Sequence, residues 1–173
     1  MGDFIDFIEG TALAVWVRES PSIFAYTTVL SLHALGLAIV VGVGAVVSLR
    51  VMGLFRGLPL APLLKLFPVM WVGFTINALS GLALLAASAS NMLSNTVFLV
   101  KMVLIAFAVI NMELLRHRVA SETAAAPVGT LSDDSVLSSG ARGIALSSLV
   151  LWIAVIVTGR LTAYPNFVAS LFS

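Results

Sequence analysis

Few side chains in this chain can do chemistry. His33, Asn77, Lys101, Asn111, Glu113, Ser147, Ser148 and Arg160 are the polar groups within or at the ends of its long apolar stretches. A neutral imidazole at position 33 can ligate a metal, the iron of a haem included, or pass on a proton. A lysine and an arginine held at one level can bind an anion such as a propionate, a carboxylate or the polar head of a quinone. An asparagine such as Asn77 can tie two helices or orient the histidine. The chain has no cysteine, which removes thiolate metal sites and c-type haem attachment. It has no P-loop, zincin helix, nucleophile elbow or paired-aspartate metal motif, so hydrolytic and phosphoryl-transfer chemistry have no residues to run on. No catalytic activity of its own is expected.

The elements that position these residues follow from composition. Of 173 residues, 60% are hydrophobic and 10% are charged, where soluble domains carry about 25% charge. No soluble fold of this size hides that much apolar surface, so a soluble enzyme and a nucleic-acid binder are excluded. The solvent must be lipid. About 20 apolar residues cross a bilayer, which predicts transmembrane helices at about 21–49, 63–89, 96–117 and 143–163. The third spans only with Lys101 inside it, because just residues 102–112 lie uncharged between Lys101 and Glu113. The fourth carries Arg160 inside one end. Residues 3–18 place Phe4, Phe7, Ile8, Ala12, Val15 and Trp16 on one face, with Asp3, Asp6 and Glu9 opposite, and read as an amphipathic interfacial helix. Those acids also argue against a signal peptide. Ser20 and Pro21 read as the cap and first residue of the first span. Small, polar residues over 119–141 read as a flexible loop. Trp16, Tyr26, Phe98, Tyr164 and Phe167 read as an aromatic belt.

The basic residues set an orientation. Arg50, Arg56 and Lys65 lie in one connection, and Arg116, Arg118 and Arg142 flank another. By the positive-inside rule both connections are expected in the cytoplasm and both termini on the opposite side, the periplasm of a bacterial inner membrane. His33 then lies about 12 residues into the first span, roughly 18 Å deep at 1.5 Å per residue. Gly36, Val40 and Gly44 share its helical side, and Gly73, Ser80 and Gly81 flank Asn77 on the second span. Ala34, Ala38 and Gly42 form a further small stripe on the first span.

Each group has two readings. His33 is either a buried histidine bonded to Asn77 or a backbone carbonyl, or an axial ligand to a haem, with a proton-relay or substrate role as a third option. Asn77 is a packing tie or part of a site with Gly36. Lys101 and Arg160 fall at one level, about 10 Å above His33 on a 1.5 Å rise. They snorkel to lipid headgroups, pair with Glu19, or hold propionates or a quinone head. His117 lies too near the other end of its span for bis-histidine ligation with His33. Met92 and Met102 fall above His33, and Met70 and Met112 fall below it. Asn111 and Glu113 read as topology-fixing, with Arg50 or Arg116 as the partner of Glu113.

The string resembles a family of small bacterial four-helix integral membrane proteins whose activity is unassigned. The matching pieces are Leu32-His33-Ala34-Leu35-Gly36-Leu37-Ala38, Leu49-Arg50-Val51-Met52-Gly53, Trp71-Val72-Gly73-Phe74, Gly81, Asn95 through Lys101, Asn111, Leu151-Trp152 and Gly159 through Tyr164. Where that family has an acid just before Leu49-Arg50, this chain has Ser48. The resemblance implies architecture only. A looser likeness to cytochrome b-type anchors and copper-resistance membrane domains is an analogy of fold.

The expectation is therefore an all-α, four-transmembrane-helix bundle with an N-terminal interfacial helix, forming one membrane domain. Its expected function is to hold a haem b or a quinone near His33 in an electron-transfer system, with Lys101, Arg160, Asn77 and Gly36 around it. A small-molecule or ion permease and a ligand-free assembly subunit are the alternatives. Lipid is the expected partner, with other membrane subunits or further copies of the chain beside it.

Overall fold

The computed structural model describes residues 2–55, 57–125, 137–162 and 164. Among them there are helices and no strands: α1 (Gly2–Glu9), α2 (Ala12–Glu19), α3 (Ile23–Val51), α4 (Leu60–Leu64), α5 (Phe67–Ala87), α6 (Ala89–Leu93), α7 (Thr96–Ala125) and α8 (Ser139–Leu161). Four stretches are long and apolar enough to cross a membrane, namely 24–51, 60–87, 96–125 and 139–161. The chain is an all-α four-helix bundle and a multi-pass membrane protein. Leu35, Val72, Leu79, Leu82, Val103, Phe107, Val150 and Ile153 all face outward on the spans. Such a surface is stable only against lipid tails.

Local chemistry places the boundaries. The interfacial segment is two helices, not one over 3–18. Gly10 and Thr11 interrupt it, and the Thr11 hydroxyl caps α2 by accepting from the Ala14 N–H at 3.4 Å. The cap of α3 is Ser22, whose hydroxyl accepts from the Phe24 N–H. Ser20 does not serve, because its hydroxyl accepts from the Ser22 N–H, ahead of the helix. The second span opens as the short α4 and restarts at α5. Pro68 stands in the first turn of α5 and has no N–H to bond back to Leu64, so one continuous helix cannot form. Ser88, with φ −149° and ψ 43°, separates α5 from α6.

The expected flexible loop over 119–141 is shorter than its composition suggests. α7 continues to Ala125 and α8 begins at Ser139. Residues 126–136 of that loop lie outside the described residues. The extension has a cause: Thr123 donates to the Val119 carbonyl, and Arg118 pairs with Glu122 one turn on at 3.1 Å. Glu122 accepts from both the N–H and the hydroxyl of Ser138, at 2.9 and 2.6 Å, and Ser138 caps α8.

Packing is in two pairs. α3 lies along α5, α7 lies along α8, and α3 joins the pairs through α8. The main core, which includes Val40, Val47, Val51, Phe67, Met70, Ala108, Met112, Leu115, Ala145, Trp152 and Val155, fills the half of the bundle nearer the basic connections. On α3 this core begins at Val40, two turns beyond His33. Of the expected aromatic belt, Trp16, Tyr26 and Tyr164 are exposed, whereas Phe98 is buried. Phe167 lies outside the described residues.

At the end of the bundle that carries the termini, Glu9 of α1 clasps α6. Its carboxylate accepts from the Ser90 N–H and the Ser90 hydroxyl, each at 2.7 Å. The Ser90 N–H, then its hydroxyl, holds the Glu9 carboxyl below the ordinary carboxylate value. A carboxylate lowered in the folded state stabilises the clasp above its unfolded pKa, and the clasp is lost as pH falls through the lowered value. Protection of the 89–93 amides from hydrogen exchange, measured relative to their intrinsic rates, should therefore be high at neutral pH and fall under acid. Glu9→Gln should show low protection at every pH, and unchanged protection in that variant would refute the clasp.

Candidate functional site

The site is built where α3 and α5 come closest. A Cβ added at Gly36 would lie 2.6 Å from the Asn77 nitrogen and 2.7 Å from the Gly73 oxygen. The two backbones touch, which brings the polar side chains of both helices within reach. Asn77 donates its amide N–H to the His33 carbonyl at 2.7 Å. The His33 Nδ1 lies 2.9 Å from the Asn77 carbonyl. Two acceptors do not meet at that distance, so Nδ1 carries the proton and donates it. Ser80 sends its hydroxyl to the Ile76 carbonyl at 2.6 Å and packs beside the ring. Gly81 makes room for the imidazole, since a Cβ there would sit 3.0 Å from Cε1.

This fixes the tautomer. With Nδ1–H committed to a backbone carbonyl, Nε2 is an unprotonated lone pair, and it has no hydrogen-bond partner among the described residues. His33 is half-buried, at the edge of the bundle and outside the main core. A carbonyl-oriented imidazole with a bare Nε2 is the arrangement that metal-ligating histidines adopt. A metal held by protein side chains alone has no ligand set among the described residues, because no three His, Asp or Glu residues cluster there.

Lys101 stands at the level of Gly159, the neighbour of Arg160 on α8. The Lys101 side chain lies on the backbone of α8 beside Gly159, where a Cβ would meet Cε at 3.6 Å and Nζ at 3.7 Å. Neither Lys101 nor Arg160 has an ion-pair partner among the described residues. Glu19 is not that partner, because it pairs with Arg18 at 2.9 Å. Gly36 faces α5 and is filled by helix contact, so it leaves no slot for a flat ring. Asn77 is the tie between the helices and the support of the imidazole.

The remaining polar residues lie elsewhere. Glu113 accepts from Arg116 at 2.7 Å and from the Trp71 indole at 3.0 Å, which joins α7 to α5. His117 is exposed beside Glu113 at the far end of α7. Asn111 donates to the Ser147 hydroxyl at 2.7 Å and joins α7 to α8. Arg50, read from sequence as a connection residue, is 1% exposed and donates to the Leu58 carbonyl. Compared with protein-family models, curated proteins and solved structures, the chain matches none.

Proposed function

We propose that this protein is a membrane component of an electron-transfer system that holds a haem b at the edge of its bundle, with His33 Nε2 as an axial ligand. The observation that carries the reading is the Nδ1–H bond from His33 to the Asn77 carbonyl, which turns a bare Nε2 outward from the α3–α5 contact. A bare nitrogen is an acceptor. It suits a Lewis acid such as iron, and it cannot donate to the carbonyl of an oxidised quinone. Lys101 and Arg160 would take the propionates at the level nearer the chain termini. The bound group would supply one-electron transfer. The residues of this chain orient the ligand nitrogen and place positive charge at one end of the site.

The permease reading loses support from the same geometry. Asn77 and Ser80 spend their polar groups on neighbouring carbonyls, which leaves no lined polar path between α3 and α5. For orientation, we propose a bacterial inner membrane with the basic connections in the cytoplasm and both termini in the periplasm.

Titration of the purified protein in detergent with haemin, followed by reduction, tests the proposal. A saturable Soret band is expected. His33→Ala should abolish it while circular dichroism stays helical. Gly81→Ala, whose Cβ crowds Cε1, should weaken binding without removing the ligand. A wild-type protein that produces no Soret band, whether it carries quinone or nothing, overturns the proposal.

A further inference from the structure

A second group of polar atoms lies well away from His33, deep in the half of the bundle nearer the basic connections. The Ser48 and Ser148 hydroxyls, the Asn111 Oδ1 and the Trp152 indole nitrogen are buried and have no hydrogen-bond partner among the described residues. Ser48 and Ser148 are 0% and 1% exposed. They come from α3, α7 and α8, yet helix register brings them to neighbouring levels of the bundle. Gly44 of α3 faces both Trp152 Nε1 and the Met112 methyl, because a Cβ built there would lie 3.7 Å and 2.6 Å from them. Ser48 is one turn beyond Gly44 on α3. Ser148 is one turn before Trp152 on α8, which runs in the opposite sense. Both hydroxyls therefore fall one turn to the same side of the Gly44–Trp152 contact. Asn111 precedes Met112 and bonds Ser147, so its amide belongs to the same level. Ser48 lies about 22 Å along α3 from His33, at 1.5 Å per residue, so this is a separate place.

The behaviour of other hydroxyls makes the group unusual. Ser80, Thr75, Ser147, Thr158 and Thr162 all donate back to a carbonyl of their own helix. That is the ordinary solution for a hydroxyl in a span. Ser48 and Ser148 do not take it, although each has a carbonyl one turn back. In lipid an orphan polar group is costly, so these atoms need something to bond. The donor set defines the occupant. Trp152 offers only a donor and the Asn111 oxygen only an acceptor, while each serine hydroxyl does both. A cation is excluded by the indole N–H, and an anion by the amide oxygen.

We infer that Ser48, Ser148, Asn111 and Trp152 bind internal water between α3, α7 and α8. The water is a structural ligand that satisfies all three helices at once, and it brings hydration into a part of the bundle that its composition marks as dry. The inference stands whether or not His33 binds haem.

Hydroxyl-radical footprinting of the purified protein tests it, because radicals formed from a bound water oxidise the residues it touches. Trp152 is expected to be oxidised on the millisecond scale despite its burial. Exposed Trp16 serves as the positive control. In the Ser48→Ala/Ser148→Ala double variant, oxidation of Trp152 should fall several-fold while that of Trp16 is unchanged. A wild-type Trp152 that stays unmodified overturns the inference. Equal oxidation of Trp152 in wild type and a folded double variant removes the two hydroxyls from the site and overturns it as well. Should the double variant not fold, the wild-type result alone decides.

Discussion

Gly36→Leu should break the α3–α5 contact and with it the support of His33. The reason lies in what surrounds Gly36. Any Cβ there meets the Asn77 nitrogen at 2.6 Å, the Gly73 oxygen at 2.7 Å and the Asn77 Cβ at 2.9 Å. None of these is the end of a flexible side chain, so the obstruction cannot swing away. Even Gly36→Ala forces the helices apart. Overpacking of this kind costs about 1–3 kcal/mol, and leucine should exceed alanine. Separation also lengthens both His33–Asn77 hydrogen bonds, which frees Nδ1 and unfixes the tautomer. Thermal melting in detergent should show a clear fall for alanine and a larger one for leucine. An unchanged melting temperature in Gly36→Leu would mean that the close approach is not there.

Arg50→Met should be the most damaging change at the opposite end. Arg50 lies in the last turn of α3, is 1% exposed and donates Nε–H to the Leu58 carbonyl at 2.6 Å. It thereby closes the turn in which Gly53 and Phe55 both adopt positive φ, at 95° and 58°. Phe55 pays steric strain to do so, because a side chain rarely sits in the left-handed region. Hydrogen bonds to a charged donor contribute about 1.5–3 kcal/mol, and a methionine fills the space but makes none of them. The loss should be about 2–3 kcal/mol, with the 52–59 turn becoming open to protease. Arg50→Lys should not rescue it, since a flexible ammonium does not reproduce the planar guanidinium whose Nε–H reaches the Leu58 carbonyl. Full stability in Arg50→Met would show that the turn holds itself.

The spans were legible because lipid makes a simple demand: about 20 apolar residues in a row. Lys101 and Arg160 were legible for the converse reason, as charges where none is expected. The pairing of His33 with Asn77 followed from their shared depth, but its decisive atom did not. The Asn77 carbonyl orients the ring, and a backbone group carries no signature in the sequence. Arg50 looked like any basic residue at a membrane face, because its burial depends on a turn that bends Leu58 back over it. Ser48, Ser148 and Trp152 passed unnoticed as a set, since serine and tryptophan are tolerated in spans singly. Only the antiparallel register of α3 and α8 brings them level. The N-terminal helix divided at Gly10 and Thr11, a break signal that the amphipathic pattern on either side outweighed.

The Glu122–Ser138 clasp has a bearing on how the last span finds its place. Its two hydrogen bonds and the Arg118–Glu122 pair anchor the start of α8 to the side of α7. Asn111 and Ser147 fix the same two helices further along. Two anchor points define a register by themselves. The covalent tether through 126–136 is thus relieved of any measuring role, and evolution is free to lengthen, shorten or decorate it while the four spans keep their alignment.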